Sequence, residues 1–108
     1  MPYDQTLAER IRKAPGNPGL LEKKMFGGVG FLLNGNMACG VHQQSLMVRI
    51  SKENHQAALT QPGVRPFDMT GKPMAGWILV DPEGIASDDD LNHWIEQGVA
   101  FATSLPAK

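Results

Sequence analysis

The sequence predicts an α+β domain, in which an antiparallel sheet of four to five strands carries helices mainly on one face. Three observations favour this class. Apolar residues recur at helical spacing near the N-terminus, an Asn-Gly pair separates two apolar stretches, and a well-capped helical pattern lies near the C-terminus. The expected order is α-β-β-β-α-β(-β)-α. Because 108 residues leave room for one hydrophobic core, residues 1–108 are expected to form a single domain.

The first helix is predicted to follow Asp4, whose carboxylate is suited to capping a first helical turn. Apolar residues recur at helical spacing between Leu7 and Ala14. The segment Pro15–Gly19 ends the helix, since proline cannot continue it and glycine favours turns. A helix this short must gain its stability by packing against the rest of the domain.

From Met25 to Ile50 the pattern changes to the alternation typical of β-strands. Asn34-Gly35 lies between two apolar stretches and is a strong hairpin signal. Residues 37–42 alternate after it, and a second alternating stretch follows the polar pair Gln43-Gln44. These features predict three antiparallel strands, whose last strand buries Leu46, Val48 and Ile50.

A second helix is predicted to begin after Ser51 and to end before Pro62. The loop that follows has room for one short strand near Phe67–Met69. The compact apolar run Trp77–Val80 predicts a buried strand.

The last helix is predicted to begin after Ser87, with Asp88–Asp90 in its first turn, where the helix dipole favours negative charge. Successive helical residues point about 100° apart, so these carboxylates cannot converge on a metal ion or act together as acids. One apolar face then continues to Pro106 and consists of Leu91, Trp94, Ile95, Ala102 and Leu105.

Composition favours a globular protein without nucleic-acid or membrane partners. The formal net charge is −1, whereas nucleic-acid binding draws on a concentrated excess of Lys and Arg. No apolar run is long enough to cross a bilayer, and the N-terminus lacks the layout of a secretory signal. We therefore expect a cytoplasmic protein that needs no cofactor.

The reactive side chains predict neither a catalytic nor a metal site. Cys39 alternates with apolar neighbours and is expected to be a small buried residue, while His42 should point to the opposite face of the same strand. Their C-x-x-H spacing lacks the second pair that a tetrahedral zinc site needs. His93, beside acidic residues on the last helix, is expected to lie on a solvated surface.

The glycine-rich segment after Lys24 does not match a phosphate loop, because such a loop follows a strand and opens a helix. Glycines in strands mark bulges, bends or close packing. On the sheet, Arg49 and Met47 should point away from the buried face, together with Met37. Two interpretations stay open here: an adaptable interaction surface or an ordinary solvated sheet face. The interaction candidates are Lys24, Phe26, Gly27, Gly28, Met47, Arg49, Arg65, Lys72 and Trp77.

Several of these residues resemble one known family, the TfoX/Sxy N-terminal domain. The most specific element is Met-Phe-Gly-Gly before a hairpin, and the similarity covers nearly the whole chain. The resemblance implies an antiparallel sheet with helices on one side. Longer members are regulators of natural competence in bacteria that act with the cyclic-AMP receptor protein and carry a C-terminal helical domain; this chain, which stops at Lys108, is expected to be the stand-alone first domain. The residues that carry the resemblance are Lys24 to Gly28, Gly30, Phe31, Gly35, Asn36, Met37, Leu46, Arg49, Phe67, Gly71, Met74, Trp77, Pro82 and Trp94.

Three hypotheses for function follow. The first is a non-enzymatic regulatory or adaptor module that binds a protein partner, with the transcriptional machinery implied by the resemblance. The second is a small-molecule-binding protein or an enzyme, whose pocket lies between Met25–Phe31 and the Val64–Trp77 loop and holds Lys24, Lys72 and Trp77. Direct DNA binding is third. A homodimer and a monomer fit the sequence equally well.

Overall fold

A computed structural model describes residues 4–25, 28–67 and 76–106 of the chain. Three α-helices, six β-strands and one 3₁₀ turn occur in these residues. The helices are α1 (Gln5–Lys13), α2 (Lys52–Leu59) and α3 (Asp88–Thr103), and the 3₁₀ turn is Pro82–Gly84. The strands are β1 (Leu21–Met25), β2 (Gly28–Leu33), β3 (Asn36–His42), β4 (Ser45–Arg49), β5 (Val64–Pro66) and β6 (Trp77–Val80).

The strands form one sheet in the order β1-β2-β3-β4-β6-β5, and every neighbouring pair is antiparallel. The first four strands form a meander, in which each strand pairs with the next. After α2 the chain adds β5 at the far edge of the sheet, and β6 then returns between β5 and β4. The predicted α+β class is therefore confirmed, with six strands where four to five were expected.

Each predicted helix forms, because each begins at a side chain that accepts hydrogen bonds from free backbone N–H groups. The Asp4 carboxylate accepts from the backbone N–H groups of Thr6 and Leu7. The hydroxyls of Ser51 and Ser87 cap α2 and α3 in the same way. Local sequence thus fixes where all three helices begin.

The Asn34-Gly35 hairpin also forms as predicted. Both residues have positive φ angles, 53° and 83°, which match a tight turn between twisted strands. Glycine adopts such angles without steric cost, and asparagine tolerates them better than most residues. The turn therefore fixes the register of β2 against β3.

The helices pack on one side of the sheet, which we call the helical face. Its buried strand residues form one cluster with apolar residues of α1, α2 and α3; they are Val29, Phe31, Ala38, Cys39, Val41, Leu46, Val48, Ile78 and Val80. The burial of Leu46, Val48 and Ile50 is confirmed. The predicted face of α3 is confirmed for Leu91, Trp94, Ile95 and Ala102, whereas Leu105 lies beyond the end of the helix and is only partly buried.

Helix α3 comes unusually close to the sheet at Gly98. A Cβ atom added at this position would collide with the backbone oxygen of Ala38 in β3. Glycine is thus required here by the close approach of two backbones.

One strand was not predicted and another lies beside its predicted position. Strand β1 was not predicted, because residues 21–24 are rich in charge and all exposed, without a buried alternating face. The short strand expected near Phe67–Met69 lies earlier, at Val64–Pro66; Asp68 and Met69 fall outside the described residues. Both strands are sheet edges, where one side has no neighbour and the burial pattern is weak.

Candidate interaction surface

The other side of the sheet, which we call the second face, carries a separate apolar cluster. Its members are Met47, Phe67 and Leu79, which are buried, and Met37 and Trp77, which are partly buried. Cross-strand register places Met47 opposite Leu79, and Arg49 opposite Trp77. Among the described residues, no helical side chain belongs to this cluster.

Two methionines fill the centre of the second face above a glycine. A Cβ atom added at Gly40 would lie 2.8 Å from Met37 Cε and 2.9 Å from Met47 Cε. The glycine therefore lets the flexible methionine ends lie flat on the sheet. Close packing of this kind is one of the roles that glycine has in strands, and methionine is suited to it because its side chain adapts to irregular gaps.

Arg49 lies beside this cluster and is held by aromatic rings. Its guanidinium carbon is 5.3 Å from the centroid of the Trp77 ring and 5.3 Å from that of Phe101 on α3. Both distances are within the range of cation–π attraction, which is worth roughly 0.5–1 kcal/mol at an exposed site. Two rings therefore restrict where a long and otherwise flexible side chain can point.

A polar row borders the cluster at the other end of β6. Ser45 Oγ donates a hydrogen bond to Asp81 Oδ1 at 2.6 Å, and Arg65 Nε donates to the same oxygen at 3.0 Å. Burial raises the pKa of Asp81, but the hydrogen bonds from Ser45 and Arg65 and the charge of Arg65 outweigh it, so the pKa of Asp81 is lowered. Arg65, a predicted contact residue, is thus already paired.

His42 lies near the polar row, since its register partner in β4 is Ser45. Its ring is 6.1 Å from that of Phe67, with a tilt of 40° between the planes. Its Nδ1 atom is buried and has no hydrogen-bond partner among the residues that the structure describes. The imidazole therefore serves mainly as a flat side chain that packs on Phe67.

The structure brings only some of the predicted contact residues together. Met47, Arg49, Arg65 and Trp77 all belong to strands of the second face or to its edge. Met47 points away from the helical face as expected, but it is only 1% exposed and supports the surface from beneath. The expected methionine surface is therefore smaller than predicted, because only Met37 of the two methionines is partly exposed.

The glycine-rich end of the predicted set lies elsewhere. Lys24 and Gly28 are on β1 and β2, at the opposite edge of the sheet from Trp77. Three strands separate β1 from β6, so Lys24 and Trp77 do not share a pocket formed by the described residues. The remaining candidates, Phe26, Gly27 and Lys72, lie outside the described residues.

Cys39 and His42 occupy opposite faces of β3, as predicted. Cys39 belongs to the cluster of the helical face, and burial raises the pKa of its thiol to about 12, so it stays protonated and unreactive at neutral pH. His93 contacts Gln97 on the exposed side of α3, and Asp88 pairs with Arg10. In residues 4–25, 28–67 and 76–106, no three His, Cys, Asp or Glu side chains are placed to hold a metal ion.

Open cavities lie between the helices, away from the second face. One of about 290 Å³ is lined by α2 and α3, including Ala58, His93 and Trp94. Another, of about 350 Å³, includes Pro62, Gly84 and Trp94. Neither contains Lys24 or Trp77, so neither matches the pocket predicted from the sequence.

Sequence reasoning missed Phe101 and Asp81 as parts of this surface. Phe101 is one more apolar residue of α3, and nothing in the sequence distinguishes it as a contact residue. Asp81 directly precedes Pro82 and lies in a segment whose composition, Asp-Pro-Glu-Gly, is typical of a turn. An alternation count along β6 would have found Asp81, because it continues the 77, 79, 81 face of that strand.

Together these features define a small α+β domain with helices on one side of the sheet and a surface of aromatic, methionine and arginine side chains on the other. The chain belongs to the TfoX N-terminal domain family, which it matches over residues 16–102. The resemblance seen in the sequence is thus confirmed, and the family is one of regulatory domains. Comparisons with curated proteins and with solved structures gave no match. No helix in the described part of the chain has the length and apolar character needed to cross a membrane.

Proposed function

We propose that this domain is a non-enzymatic regulatory module that binds a protein partner through its second face. The observation that carries the proposal is that Met37, Trp77 and the neighbouring Arg49 are partly exposed beside the buried residues Met47, Phe67 and Leu79. Aromatic residues, methionine and arginine are enriched in protein interfaces. Buried residues thus lie directly beside accessible ones, and residues that dominate binding energy commonly include tryptophan and arginine.

Family membership supports a regulatory role. By extension we propose a partner in bacterial transcription or competence regulation, and a cytoplasmic site of action. The paired state of Arg65 narrows the proposed contact to the end of the face that holds Arg49 and Trp77. Binding there would cover the one apolar cluster that no described helix covers.

The test is affinity capture with the tagged full chain and with two variants. Trp77→Ala combined with Arg49→Gln removes the accessible side chains, while Arg12→Gln on α1 removes one charge from the opposite side of the molecule. We expect a specific protein to be retained by the wild type and by Arg12→Gln, and lost from the double variant. Urea unfolding of all three proteins checks that the fold is intact.

The proposal fails if capture recovers nothing specific, or if the double variant retains the same protein as the wild type. A sedimentation measurement on the wild type shows whether the captured partner is a second copy of the chain. In that case the second face would be a homodimer interface, and the double variant would sediment as a monomer.

A further inference from the structure

We propose that Arg49 is a receptor for a carboxylate, and that the partner presents an acidic side chain to it. This inference rests on the proposed function for the location of the contact, and it adds the chemistry that would be recognised. The starting point is an arginine fixed in place by Trp77 and Phe101, each ring centroid 5.3 Å from its guanidinium carbon.

The donors of Arg49 are unused within the described structure. No hydrogen bond or ion pair joins its guanidinium to any residue of 4–25, 28–67 or 76–106. Guanidinium carries five N–H donors in a planar fork, and none of those of Arg49 is hydrogen-bonded to a described residue. A carboxylate fits such a fork with two parallel hydrogen bonds.

The other three arginines of the chain each form an ion pair with a carboxylate. Arg10 pairs with Asp88, Arg12 with Glu22, and Arg65 with Asp81. Arg49 is the only arginine in the described residues without a carboxylate partner. It is also partly buried, so leaving its charge unpaired gives up interactions that water supplies only incompletely.

The surroundings favour an acidic protein segment over nucleic acid. The side chains next to Arg49 on the second face are apolar: Trp77 opposite it in register, then Met47 and Leu79. Phosphate backbones are bound by several Lys and Arg residues together, and the net charge of this chain is −1. The expected partner motif is therefore one Asp or Glu flanked by an apolar residue that packs on Trp77.

The charge of the guanidinium also gives the site selectivity for a carboxylate over a neutral group. An amide of the same shape as a carboxylate carries no charge and can accept only one hydrogen bond from the fork in this geometry. Hydrogen bonds to charged groups are worth about 1.5–3 kcal/mol, so loss of the charge should weaken binding about tenfold or more.

The experiment is an NMR titration of the ¹⁵N-labelled full chain with N-acetyl-aspartate amide, and with N-acetyl-asparagine amide as the uncharged comparison. The signals to be followed are those of the Arg49 Nε–H and Trp77 indole N–H groups. The expected result is a saturable shift of both signals with the aspartate probe, and at least about tenfold weaker binding of the asparagine probe. Rising salt should weaken the aspartate interaction, because a partly exposed charge pair is screened.

Three variants sharpen the titration. Arg49→Lys keeps the charge but loses the planar fork, and is expected to weaken binding about tenfold. Arg49→Gln removes both the charge and the fork, and is expected to abolish binding of the probe. Arg12→Gln on α1 is the control variant, which should bind the probe as the wild type does. Circular dichroism and urea unfolding confirm that each variant is folded.

The proposal is overturned if Arg49 Nε–H does not shift at saturating probe, or if both probes shift it equally. It is also overturned if Arg49→Lys binds as tightly as the wild type, since the fork would then be irrelevant. Tighter binding of a ten-residue oligothymidine, falling steeply with salt, would assign the site to nucleic acid instead. If Arg49→Gln still captures the partner that the double variant loses, the proposed function stands while this inference falls.

Discussion

The two faces of the sheet bury their apolar side chains in different ways. On the helical face, residues of β2, β3, β4 and β6 join apolar residues from all three helices in a single large cluster. On the second face, a buried set of Met47, Phe67 and Leu79 is bordered by Met37 and Trp77, without a helical member among the described residues. The same strands therefore supply a thick core on one side and a thin apolar layer on the other.

This difference separates the stability of the domain from its proposed contact surface. A thick core fixes the backbone of the sheet, so the second face can keep partly exposed aromatic and charged groups without losing the fold. Met47 illustrates the division: it supports the surface from beneath, while Arg49 and Trp77 remain accessible. Substitutions on the two faces should consequently affect different properties.

The sharpest test uses neighbouring residues of one strand. Leu46 and Met47 are both almost fully buried, but they point to opposite faces. We expect Leu46→Ala to lower the free energy of unfolding by about 4 kcal/mol and Met47→Ala by about 2 kcal/mol, because the cost of a deletion depends on how well the site can collapse. Urea unfolding with unchanged slope measures both values.

Equal losses for the two substitutions would show that the thin layer is packed as tightly as the core. A larger loss for Met47→Ala would reverse the comparison altogether. Leu46→Met, which nearly conserves volume, is the control and should cost less than about 1.5 kcal/mol.

A second test breaks the contact between α3 and the sheet. Alanine normally favours a helix over glycine by about 1 kcal/mol, but a methyl group at Gly98 would collide with the Ala38 carbonyl oxygen. We therefore expect Gly98→Ala to destabilise the domain by about 2 kcal/mol, since overpacking costs roughly 1–3 kcal/mol. Thermal unfolding followed by circular dichroism measures the change.

Ala100→Gly on the exposed side of the same helix serves as the comparison for Gly98→Ala. It should cost about 1 kcal/mol through helix propensity alone. A stabilising effect of Gly98→Ala would mean that α3 can move away from β3 at little cost.

The smallest effect is expected at the polar row of the second face. The pKa of Asp81 is lowered in the folded protein from its ordinary value of 3.8, so its contribution to stability is present well above that pH and is lost as the pH falls below 3.8 through the lowered pKa. Asp81→Asn should therefore cost about 1 kcal/mol at pH 7, with the difference from wild type shrinking in acid.

Unfolding of wild type and Asp81→Asn between pH 7 and pH 2.5 measures this difference. Glu22, whose pKa is lowered by its hydrogen bond from Arg12, titrates in both proteins and cancels in the comparison. A difference that stays constant with pH would contradict an ionic role for Asp81.

Much of the fold was predictable because its signals are local. The caps at Asp4, Ser51 and Ser87 act on backbone groups two or three residues away, and the Asn34-Gly35 turn sets its own hairpin. Strand β1 was missed because it is stabilised by pairing with β2, and this pairing produces no hydrophobic pattern in a charged segment at the edge of the sheet. Local rules identify elements that stabilise themselves, and they fail where a neighbour supplies the stability.

The candidate site was only partly predictable for the same reason. Alternation along β4 was enough to place Arg49 and Met47 on the side opposite Leu46. It could not show that Phe67 would cover Met47, or that Phe101 would come from the far end of the chain to contact Arg49. Those contacts join residues separated by many positions, so no spacing rule contains them.

The sequence by itself determined the class of fold, where each helix begins, the burial of Cys39 and the side of the sheet on which each β4 residue lies. Only the tertiary structure decided that the second face has its own apolar layer, that Arg65 is paired with Asp81 and that Arg49 is not paired with a carboxylate of the described chain. Hydrogen-bond caps and strand alternation act over a few residues, whereas the partner of a charge depends on which distant segments the fold brings within reach.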